Sequence, residues 1–136
     1  MKILLNILVA LFAANTLWSQ EGPPEGGFTT FHVIAEDPYE YIDYLKENPQ
    51  FLAAGGGDVS GYCMTVSGHD YPGEMFIWNG FASLEDMMAN ATTYNPYAAP
   101  TALKNMRKIK YTSFWKTLTP FELTPGFERV TRVSIK

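Results

Sequence analysis

GEMFIWNGFASLEDMM, Gly73–Met88, passes from an extended run into a helix within a few residues, and its reading decides the fold. From Glu74 to Phe81 the chain alternates as a strand does, with Phe76 and Trp78 on one face and Met75, Ile77 and Asn79 on the other. Ser83 then stands as a helix N-cap with Asp86 three residues on. Leu84, Met87, Met88 and Ala91 follow as the apolar stripe of the helix. Trp78 and Asn79 are neighbours in sequence but point to opposite faces, so at most one of them lines any given cavity.

Upstream, FTTFHVIAE (28–36) alternates Phe31, Val33 and Ala35 against Thr30, His32 and Ile34, a second strand. DPYEYIDYLKENP (37–49) opens a helix, with Asp37 as N-cap, Pro38 at the first helical position and Glu40 three residues after the cap. Tyr41, Ile42 and Leu45, with Tyr44, make its buried stripe. Pro49 bends or restarts the helix toward QFLAAGGG (50–57), where the glycines end it. DVSGYCMTVSG (58–68) is a strand joined to the Gly73 stretch by HDYPG (69–73), a turn sequence that predicts an antiparallel hairpin.

Downstream of a loop from Asn95 to Pro100, ALKNMRKIKYTSFWKTLTPFEL (102–123) begins helically. It continues as a long strand with Ile109, Tyr111, Ser113 and Trp115 on one face. FERVTRVSI (127–135) reads as a further strand, kept in its own chain or exchanged with a second copy. The order β-α-β-β-α-β predicts an α+β, ferredoxin-like antiparallel sheet with two helices on one face, plus an extra C-terminal strand. The other face is aromatic and uncovered, which predicts a homodimer with the two sheets packed together.

The chain begins MKILLNILVALFAANTLWSQ, with Lys2 before an apolar run and small residues near Ser19, the pattern of a secretory signal peptide over residues 1–19. Gln20–Gly27 reads as a Pro/Gly-rich linker, and residues 28–136 as one domain. A secreted or periplasmic location follows, without a stable membrane span after cleavage, because the apolar run is shorter than the roughly 20 residues a span needs. Cys63 is the one cysteine, so packing rather than disulfides must hold the fold, and its apolar-alternating context makes it a small buried hydrophobe rather than a nucleophile. The net charge is −4 at pH 7, and the bases gather after Lys104; an exported acidic protein of this kind is not expected to bind nucleic acid.

Among candidate site residues, His32 is the one histidine inside a strand. If its face meets the helices it lines the cavity there and is placed to act as a general base. His69, in the turn, is read as exposed. The two histidines do not have metal-ligand spacing, and no metal or cofactor is expected. Asn79, if buried, must find hydrogen bonds. The remaining candidate ligand-binding residues are Tyr62, Phe76, Trp78, Phe81, Met87, Met88, Tyr111 and Trp115, large aromatic or adaptable side chains on the strands and the second helix. Nucleophile elbows, phosphate-cradling loops and CxxC pairs are absent from the sequence.

The order of elements from Phe28 to about Leu118, the first helix ending in AAGG (53–56), and FASLEDM (81–87) resemble the dimeric α+β barrel proteins, notably the antibiotic biosynthesis monooxygenase group. The resemblance implies a ligand cavity between sheet and helices in each subunit of a homodimer. In its haem-degrading branch an asparagine on the first strand, a tryptophan at the end of the third and a histidine on the second helix serve the haem. Here Phe81 stands at the junction and Leu84–Thr93 holds no histidine, a departure from that branch. Three functional readings follow: a protein binding a small apolar or aromatic molecule, a cofactor-independent monooxygenase or isomerase with His32 as base and Tyr62 or Asn79 orienting the substrate, and a structural dimer without ligand.

Overall fold

The computed structural model describes residues 25–119, with 125, 126, 129–131 and 133–135 beyond them. The expected signal peptide, residues 1–19, and the linker up to residue 24 lie outside the described residues. The elements in chain order are β1 (Gly27–Ala35), α1 (Pro38–Glu47), α2 (Gln50–Ala53), β2 (Val59–Met64), β3 (Glu74–Phe81), α3 (Leu84–Ala91), α4 (Thr101–Met106) and β4 (Arg107–Lys116), with a short 3-10 turn at Pro96–Ala98. The sheet order is β2-β3-β1-β4, and each neighbouring pair is antiparallel. This is the ferredoxin-like arrangement expected from the element order.

Local chemistry sets the helix starts. Asp37 Oδ1 accepts from the backbone N–H groups of Tyr39 (2.9 Å) and Glu40 (3.1 Å), and Pro38 gives up a donor that the first turn leaves unpaired anyway. At α3 the exchange is reciprocal: Ser83 Oγ accepts from the Asp86 N–H at 3.1 Å and donates to Asp86 Oδ2 at 2.7 Å. Ser83→Ala is expected to lower stability by about 1 kcal/mol. Urea denaturation measures it, and an unchanged midpoint would mean that the Ala82 N–H to Asp58 Oδ2 bond, 2.8 Å, holds the junction alone.

The core lies between one sheet face and the helices. Phe31, Val33 and Ala35 of β1 and Met75 and Ile77 of β3 meet Tyr41, Ile42 and Leu45 of α1 and Leu103 of α4. The face left outside carries Thr30, His32 and Ile34 of β1 and Phe76 and Trp78 of β3, as the alternation predicts.

One expectation is corrected. The register of β1 against β4 shifts between His32 and Val33, where Tyr111 opposes His32 and Ile109 opposes Val33, so Lys110 is an extra residue in a β-bulge. Ile109 therefore packs on the core while Tyr111 stands on the outer face, and strict alternation fails at this one step. The expected C-terminal strand, residues 127–135, lies in part outside the described residues; those of it that are described, 129–131 and 133–135, form no strand within this chain, and Val130, Val133 and Ile135 are exposed.

Candidate functional site

Asn79 comes from the middle of the third strand with its side chain turned toward the helices, and it is completely buried. Across the register from it on β1 stands Thr29, also buried and on the same face. Neither Oδ1 nor Nδ2 of Asn79 has a hydrogen-bond partner among the described residues, and neither does Thr29 Oγ1. Each such group carries a desolvation penalty on the order of 1–3 kcal/mol, and buried polar groups left this way are rare.

The surroundings are close. Gly55, just past the end of α2, lies against the Asn79 amide, and a Cβ at this position would stand 2.2 Å from Oδ1. Glycine is required there because any side chain would displace the amide. Met87 of α3 lies over Gly27 at the start of β1, and Phe81 closes the end of β3; both are buried. Tyr62 of β2 shares the face, opposite Ile77 and half-buried against the core. An amide and a hydroxyl with this setting can hold and orient a carbonyl or hydroxyl of a small molecule, but neither exchanges a proton near neutral pH. The arrangement is suited to binding.

The outer face gathers the other candidates. His32, 5% exposed, stacks on Tyr111 with ring centroids 4.1 Å apart and lies 5.4 Å from Phe76. Its Nε2 is 3.1 Å from Thr30 Oγ1, and Thr30 Oγ1 accepts from Trp115 Nε1 at 2.9 Å. Trp78 lays its indole over Gly61 of β2, the side-chain-free position that makes room for it, and meets Phe28 edge-on at 6.3 Å. Tyr111 and Trp115 remain 41% and 46% exposed.

The predicted site residues therefore divide. Tyr62, Asn79, Phe81 and Met87 share the helix side, whereas His32, Phe76, Trp78, Tyr111 and Trp115 share the outer side. His32 does not face the helices, so a mechanism pairing it as base with Tyr62 or Asn79 is overturned by the thickness of the sheet between them. Met88 is also corrected: it is exposed, on the solvent side of α3, since only Met87 of the pair reaches the sheet. Cys63 is half-buried on the outer face, opposite Phe76, rather than enclosed. His69 is exposed in the turn, and among the described residues no three His, Cys, Asp or Glu side chains are grouped to hold a metal ion. No described helix is long and apolar enough to cross a membrane. Thr29 was missed in the sequence, although its place two residues before Phe31 puts it on the core face by the same alternation.

No family model matches the chain, and no curated protein matches it. Among solved structures it is similar to a NIPSNAP family protein from Agrobacterium tumefaciens, at 18% identity and a TM-score of 0.43, over 73% of this chain and 97% of that one. It is also similar to SnoaB, a cofactor-independent oxygenase from Streptomyces nogalater, at 14% identity and a TM-score of 0.40, over 75% of this chain and 98% of that one. At these scores neither likeness carries a functional reading, and the fold assignment rests on the strand order and registers.

Proposed function

We propose that this chain is an exported, homodimeric protein that binds a small apolar or aromatic molecule between its sheet and its helices. The observation that carries the reading is the buried Asn79 amide, unpartnered beside the unpartnered Thr29 hydroxyl. A ligand carbonyl or hydroxyl seated there removes the desolvation penalty that the empty protein bears, and Phe81 and Met87 supply the apolar wall. The Gly55–Gly57 loop lies over the amide and lifts to admit the ligand; three glycines in a row give it the backbone freedom to do so.

Export is supported by the signal-like residues 1–19. The second copy is supported by the outer face, where Phe28, Phe76, Trp78, Tyr111 and Trp115 form an aromatic surface that one chain leaves partly in water. Native mass spectrometry of residues 20–136, purified without denaturation from an exporting host, tests both parts. A dimer carrying added mass of a small organic molecule is expected. A bare monomer sinks the reading, and a bare dimer sinks its ligand part. Trp78→Asp is expected to raise the dimer dissociation constant at least tenfold, as an aromatic at the centre of an interface does; sedimentation at unchanged monomer weight for both forms would remove the outer face as the interface.

A further inference from the structure

A cleft of about 280 Å3 opens between α2, the segment around residues 94–100 and α4. Its walls are apolar: Phe51, Tyr94, Pro96 and Leu103 among them. Its only formally charged lining residue is Arg107, which projects from the first position of β4, opposite Ala35, on the helix side of the sheet. Arg107 Nη1 donates to Tyr41 Oη at 2.6 Å, and its guanidinium lies 5.8 Å from the centre of the Tyr41 ring. Tyr41 is fully enclosed, and burial holds its phenol above the usual pKa against the lowering influence of Arg107, so it stays neutral.

The guanidinium thus rests on a neutral phenol. Among the described residues the ion pairs are Lys46 with Asp43 and Lys116 with Glu25, and no carboxylate reaches Arg107. A half-buried arginine in an apolar cleft, with one of its five N–H donors spent on a tyrosine, has a fork of donors left for an anion. Arginine binds carboxylates bidentately, and the bond is stronger where water is excluded. The volume lies just below the roughly 300 Å3 at which pockets for drug-sized ligands begin, so the occupant is a compact molecule.

We infer that this cleft is a second binding site, for a small aromatic or apolar carboxylic acid whose carboxylate pairs with Arg107 and whose ring lies among Phe51, Tyr94 and Leu103. Its lining includes neither Asn79 nor Thr29, although Ala54 at its edge adjoins Gly55; its charged end at Arg107, opposite Ala35, lies six residues along β1 from Thr29, roughly 20 Å, so a carboxylate held there is out of reach of the Asn79 amide.

The test compares 2-naphthoate with its neutral twin 2-naphthamide by isothermal titration against the full mature chain. The acid is expected to bind at least tenfold tighter than the amide. Arg107→Met is expected to remove that difference while leaving amide binding unchanged, and Arg107→Lys to keep part of it, since an ammonium supplies the charge without the fork. Equal affinity of acid and amide for the unaltered protein overturns the inference, as does binding of neither. An acid preference that survives in a folded Arg107→Met protein overturns it too. Asn79→Leu serves as the control: acid binding that it abolishes would place the naphthoate in the other site and overturn the assignment to the cleft.

Discussion

Asn79→Leu is expected to make the ligand-free protein more stable, by about 2 kcal/mol, and to abolish binding at the seat beneath the glycine loop. Leucine shares the branching of asparagine atom for atom and opens no new cavity beside Gly55; its bulkier methyl groups overpack the site, at a cost of about 1 kcal/mol or more, set against the larger penalty of two unpartnered polar atoms. What changes is that two buried polar atoms without partners become apolar ones. A gain of this sign at a buried polar position marks a residue kept for what it binds rather than for what it holds together. Thermal or urea unfolding of the ligand-free protein gives the first half, and loss of the added mass in native spectra the second. A clear loss of stability would mean that a buried water already satisfies the amide, and the binding reading would lose the observation it stands on.

The other large effect is expected at the residue that presses on that amide. Gly55→Ala places a Cβ at 2.2 Å from Oδ1, 2.3 Å from Nδ2 and 2.4 Å from Cγ of a side chain with no exposed direction in which to retreat. A loss of about 3 kcal/mol is expected, at the upper end of what overpacking in a core costs. The three nearest atoms all belong to one side chain, so the worst of the clash is removable. In an Asn79→Ala background the same alanine is expected to cost under about 1 kcal/mol, and the coupling from the double-mutant cycle reports the contact directly. Additive effects in the cycle would show that the loop, not the amide, is what alanine disturbs.

Much of this architecture is readable in the residues because local chemistry and burial agree there. Asp37-Pro38 and Ser83-Asp86 begin their helices by hydrogen bonds to their own backbone, which need no distant partner. Phe31, Val33 and Ala35 alternate because one face of β1 is buried. The site was legible only in pieces. Alternation says that Trp78 and Asn79 part company, and that His32 sides with Thr30, but no periodicity says which face receives the helices. That choice depends on the α1 stripe meeting Met75 and Ile77 rather than Phe76 and Trp78, which are of similar apolarity. Lys110 escaped for a different reason, since a bulge is a mismatch between two strands and is not written in either alone.

That bulge bears on how the protein meets other copies of itself. With the order β2-β3-β1-β4, β4 is an outermost strand, and among the described residues no further strand pairs with its far side. Such a rim invites another extended chain to zip onto it, the route by which sheets grow into fibrils. Here the rim carries Lys108, Lys110 and Lys116, and the inserted lysine kinks the strand partway along. A strand so charged and bent is a poor template for growth at the sheet edge, so the proposed dimer, closed through the broad aromatic face, is not set in competition with fibril-like stacking.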